Sequence, residues 1–170
     1  MRRISALLAV SLTAALLITM LTAGVASASS SHSANNVAKG LLLSATLAPD
    51  IGPKVEPKIA GIMPGGLPWV LKRGHVNLSK GGLLDASVEG LLFGPGAPAK
   101  LVGTTGPLKK VFASLVCANG PVVSTIPVPL SKKGDSHILL QIFLPVQCVG
   151  PIVLIRAPSD GGPWLAASGF

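Results

Sequence analysis

HVNLSKGGLLDASVE, His75 to Glu89, decides the fold class. Val76 and Leu78 alternate with His75 and Asn77, and Leu84, Ala86 and Val88 alternate with Asp85, Ser87 and Glu89. A period of two places the first set on one face of a strand and the second on the other, and Ser79-Lys80-Gly81-Gly82 supplies the turn between. The segment reads as an antiparallel hairpin with one wet face.

Working outward, the same period continues. A Gly/Pro loop, Gly94 to Pro107, leads into a strand from Val111 to Cys117, and Asn119-Gly120 is a tight-turn signal before Pro121 to Leu130. Pro127 and Pro129 are two apart, so their missing N–H groups lie on the same side and place that strand at a sheet edge. From Asp135 to Leu144, Ile138, Leu140, Ile142 and Leu144 share one face; His137, Leu139, Gln141 and Phe143 share the other. Pro151 to Ile155 is apolar without alternation, as in a strand buried on both sides, and Trp164 to Phe170 closes the chain. Seven to eight short strands with regular turn signals predict an all-β protein, an antiparallel β-sandwich of immunoglobulin-like or jelly-roll-like type over residues 67–170.

The region before that domain is different. Residues 1–28 read as an export signal: Arg2 and Arg3, an apolar run from Ala6 to Val25, then Ala26-Ser27-Ala28 before Ser29. The apolar run is also long enough to span a bilayer if it is not removed. Over 29–66 a polar tail, SSSHSANN, gives way to a lead-in with one edge strand at Val37 to Leu47; Pro49, Pro53, Pro57 and Pro64 exclude a long helix there.

Export predicts a secreted or extracellular location, with the cell surface as a variant, and permits a disulfide. The chain's two cysteines, Cys117 and Cys148, have no metal-ligand spacing around them and are expected to pair, the alternative being two separately buried thiols. The formal charge of +8 becomes +6 without Arg2 and Arg3. That excess is spread along the chain, mostly as lysine, and Tyr is absent, so nucleic acid is not the expected partner. Anionic cell-wall polymers, a glycan or another exported protein fit better.

Catalytic chemistry finds little support. Gly134-Asp135-Ser136-His137 looks like the nucleophile block of GDSL lipases, but an adjacent His on a strand points away from its Ser, and the block reads better as a polar turn. Asp85 and Glu89 share a strand face roughly 13 Å apart, beyond either glycosidase geometry. His75 and His137 both fall on outward faces and could share a metal only if their strands were neighbours. No enzyme, cofactor or metal site is predicted.

Two surfaces remain. Leu139 and Phe143 on an otherwise wet face form the candidate contact patch of a non-enzymatic protein acting by surface contact. The alternative is a carbohydrate-binding module using Trp69 and Trp164. Gly65-Gly66-Leu67-Pro68-Trp69-Val70 and Gly161-Gly162-Pro163-Trp164-Leu165 echo each other, each a turn feeding a strand that begins with a large aromatic. The favoured reading is that both rings plug the end of the sandwich from neighbouring strands.

The string from Leu67 to Phe170, with PWV, VFASLVC, LPVQC, PIVLIR and the closing PWLAASGF, resembles small secreted β proteins that recur in actinobacteria. That group has no assigned activity. The resemblance implies a secreted, disulfide-bearing domain and no catalytic residues.

Overall fold

The structure is a computed structural model that describes residues 40–52, 57–159 and 161–169. The export signal, the polar tail after it and Phe170 lie outside the described residues. All the regular elements described are strands: β1 (Leu41–Pro49), β2 (Trp69–Val70), β3 (Arg73–Ser79), β4 (Leu83–Glu89), β5 (Leu92–Phe93), β6 (Lys110–Val116), β7 (Val123–Ser124), β8 (Val128–Pro129), β9 (Ser136–Gln141), β10 (Ile152–Arg156) and β11 (Trp164–Ser168). Four of these eleven have two residues; the other seven have five or more. Every strand pairing is antiparallel.

The hairpin forms as β3 and β4, in register from Arg73↔Glu89 to Leu78↔Leu84. Val76, Leu78, Leu84, Ala86 and Val88 are buried, and the turn closes through Gly82, whose φ of +87° suits a residue without a Cβ. Ser79 Oγ accepts a hydrogen bond from Leu83 N at 2.9 Å, which satisfies one of the backbone donors the turn frees.

Around this hairpin the main sheet runs β7-β6-β10-β11-β1-β3-β4-β9, with β8 also on β6, and β2 pairs β5 apart from it. β1 joins two halves. Its first part, to Thr46, pairs β3, and Leu47 to Pro49 pair β11. One half, β1-β3-β4-β9, curls as a half-barrel; the other continues through β11, β10 and β6. Each part of β1 thus pairs on one side only, at the edge of its own half. Its second partner, β11, begins more than a hundred residues downstream, and no local pattern announces it.

The inner faces of both halves meet in one core that includes Leu78, Leu84, Ile138, Val111, Leu115, Val153 and Ile155. Burying a side chain of this size stabilises the fold by about 1.5–3 kcal/mol. A second, smaller cluster of Ile59, Ile62, Val116, Leu154, Trp164 and Ala167 lies apart from it. Here the segment around Ile59–Pro64 bridges to the start of β11, with Trp164 N donating to Met63 O at 2.9 Å. In β10, Val153 and Ile155 belong to the first cluster and Leu154 to the second, which accounts for its unbroken apolar run.

Cys117 and Cys148 are disulfide-bonded, their Cα atoms 5.0 Å apart. Ala118 N donates to Val149 O at 2.9 Å beside the bridge. In place of one strand over Pro121 to Leu130 there are two short pairings, β7 and β8, each with β6 on one side only, so Pro129 sits at an edge while Pro127 lies in the connection before β8.

Candidate functional site

Leu139 and Phe143 stand where alternation puts them. Ile138 and Ile142 point inward at 1% and 6% exposure, while Leu139 is 54% and Phe143 92% exposed. Phe143 has neighbours that the sequence pattern did not single out. Across the opening between the two sheet edges, a groove of about 300 Å³ is lined by Val123 to Ile126 from the β7 side and Leu140 to Phe143 from the β9 side. Ile126 is also exposed, as are Val146 and Val149, which flank Cys148. These three carry no periodic signal because they lie in connections, where an apolar side chain has no face to alternate with; Ile126 just before Pro127 was the only hint.

Near its other end the opening is closed. Ser136 Oγ donates to Pro129 O at 2.9 Å, drawing β9 toward β8. The same turn holds Asp135, whose Oδ1 accepts from Gly90 N at 3.0 Å and whose Oδ2 accepts from Ser131 Oγ at 3.2 Å. Ser136 is thus committed to the backbone, and the block serves as the polar turn that the sequence suggested.

His75 and His137 lie on strands separated by β4. Ser87 stands between them in register, so the rings are about two strand spacings apart, roughly 10 Å. The condition for a shared metal, adjacent strands, is not met. His75 Nδ1 lies 3.0 Å from Ser87 Oγ, and His137 Nε2 lies 2.8 Å from Asp85 Oδ1. Among the described residues no group of three His, Cys, Asp or Glu side chains is placed to hold a metal ion.

The tryptophans require a correction. Both are buried, Trp69 at 5% and Trp164 at 1% exposure, and neither offers a ring face for a sugar to stack on. They are not on paired strands either: β2, which carries Trp69, pairs β5, and the two rings belong to different clusters. Trp69 packs on Phe93 with centroids 4.1 Å apart. Neither indole N–H has an acceptor among the described residues. The echo in the sequence reflects two aromatic anchors that fill separate cores.

Behind Trp69 lies Asp50, fully buried. Its carboxylate accepts from Gly52 N at 2.8 Å and Gly65 N at 2.6 Å, and its backbone carbonyl accepts from Trp69 N. Burial raises its pKa above the ordinary carboxylate value, against the opposing pull of the bonds from Gly52, Gly65 and Gly66. Gly65 is required there: a Cβ would stand 3.0 Å from both Trp69 Nε1 and Leu165 Cδ2 and 3.1 Å from Asp50 Oδ2. Asp50 fastens the end of β1 to the loop before β2.

In front of Trp69 a cavity of about 480 Å³ opens between the start of β6 and the β10–β11 turn. Comparisons with protein-family models, curated proteins and solved structures find no match to this chain. Among the described residues no helix is long and apolar enough to cross a membrane. The disulfide is consistent with a non-reducing compartment.

Proposed function

We propose that this chain is an exported, non-enzymatic protein that acts by surface contact, its two sheet halves serving as the layers of a β-sandwich and its apolar rim docking another exported protein in the cell envelope or outside the cell. The supporting observation is a pair of exposed apolar side chains, Phe143 and Ile126, on a shared groove, with Leu139 exposed further back along β9. Isolated exposed hydrophobics are ordinary, whereas a set gathered around a groove marks a contact site. A protein partner is favoured over an anionic polymer because no Lys or Arg among the described residues lines this groove. The basic residues elsewhere then keep the free protein soluble. Kinship with the secreted actinobacterial-type proteins is part of the same proposal.

The test is a Leu139→Ser/Phe143→Ser variant compared with the native protein for recovery of a cross-linked partner from envelope preparations. Loss of the partner with the fold intact is expected. Unchanged recovery would exclude this surface.

A further inference from the structure

The cavity in front of Trp69 lies at the end of the sheet away from the disulfide and plays no part in the contact reading above. Its wall is apolar: Leu67, Trp69, Phe93, Leu108 and Leu165, with Ala157 beside them. At about 480 Å³ it falls within the range of small-molecule sites, which occur at the mouths of curled sheets as this one does. Pro107, Pro158 and Pro163 frame it, and their fixed φ angles leave the opening formed in advance, which lowers the ordering cost of binding.

Charge selects the occupant. The charged side chains among the lining residues are Lys109 and Lys110, both exposed, and no carboxylate lines the cavity among the described residues. A cationic ligand would meet two like charges at the mouth. A sugar would need a convergent set of polar side chains, and among the described residues only the Ser159 hydroxyl lines the cavity besides the lysines. An apolar body with one negative end satisfies both the wall and the rim.

We propose that this cavity binds a monomeric anionic amphiphile, an alkyl chain with a terminal carboxylate, the chain seated among Trp69, Phe93, Leu108 and Leu165 and the carboxylate held by Lys109 and Lys110. Binding is non-covalent. Each methylene enclosed should tighten it about fourfold until the cavity is full.

Calorimetric titration of the full chain with octanoate, decanoate and dodecanoate below their micelle concentrations tests this, with Trp fluorescence as a second readout because Trp69 forms part of the wall. The expected result is affinity rising about fourfold per methylene. Ala157→Phe, which fills the cavity, should abolish binding. Should that variant not fold, Lys109→Glu/Lys110→Glu changes only exposed side chains and should weaken the carboxylates about tenfold while leaving decanol unaffected. Leu139→Ser/Phe143→Ser should bind as the native protein does, so failure of the rim reading and failure of this one are distinguishable. No saturable binding at any chain length would overturn the proposal. So would binding to phosphatidylglycerol vesicles that survives Ala157→Phe without monomeric decanoate being bound, since that would assign the chemistry to a membrane surface.

Discussion

Ile126, in the connection from β7 to β8, and Phe143, just past the end of β9, line the same groove although β7 and β9 are opposite edges of one continuous sheet. The curl of the sheet brings the edges together: β8 and β9 are tied by Ser136 Oγ and Pro129 O, while further along, β7 and β9 remain apart. An opening between unpaired edges, flanked by exposed apolar side chains, is a surface that a partner can cover.

Replacing both Leu139 and Phe143 by Ser should leave stability within about 0.5 kcal/mol, because neither side chain contributes to the buried core. Urea denaturation measures it. A loss of several kcal/mol would mean that these side chains pack in solution and are not free for a partner.

The disulfide closes a loop with a sequence separation of 31. In the chain-entropy account, Cys117→Ala/Cys148→Ala should cost roughly 3 to 4 kcal/mol, seen as a lower urea midpoint with a somewhat steeper slope, because the unfolded chain is no longer cross-linked. An unchanged midpoint would remove the bridge from the stability of this fold.

Gly134 and Gly103 both have positive φ, +82° and +74°, but their surroundings differ. A Cβ on Gly134 would lie 2.5 Å from Leu91 N and O, whereas nothing lies within 4 Å at Gly103. Gly103→Ala should cost about 1–2 kcal/mol, the backbone penalty alone. Gly134→Ala should cost distinctly more, since Leu91 N also donates to Gly134 O and the two segments cannot separate freely. Equal losses in thermal unfolding would contradict this.

Asp50 gives stability a definite pH dependence. Its pKa in the folded state is above the unfolded value, so the native state holds the proton longer, and stability present at low pH is lost as pH rises from the unfolded pKa through the folded one. Comparing the native protein with Asp50→Asn isolates the effect. The native protein's stability relative to the variant should fall as pH rises through and above the ordinary carboxylate range. A relative stability that rises over that window would show that the hydrogen bonds from Gly52 and Gly65 outweigh burial.

Much of the fold was legible in the residues where a local cause dominates. The β3–β4 hairpin follows from alternation across a Gly-Gly turn, the double burial of β10 from its unbroken apolar run, and the edge position of Pro129 from its absent N–H group. What was not legible depends on distant partners. Leu41 to Pro49 leads into a run of prolines and looks peripheral, yet its two parts join β3 and β11 and so link the two halves of the sheet. The tryptophans share a local motif and end in different cores because one is covered by Phe93 and the other by Ile59 and Ile62. The exposed apolar side chains were half visible: β9 alternation exposes Leu139 and Phe143, whereas Ile126 meets Phe143 only through the curl of the sheet. Nothing in the sequence gathers the wall of the end cavity, whose residues come from five separate stretches of chain.

Hydrogen–deuterium exchange of the native protein with and without isolated envelope fragments shows whether the Phe143 groove is where a partner docks. Slowed exchange is expected at Val122 to Ile126 and at Leu139 to Val149, with the rest of the sheet unchanged. Protection confined to the loops around Trp69, Lys109 and Pro158, with the Phe143 groove exchanging as in the free protein, would contradict docking there.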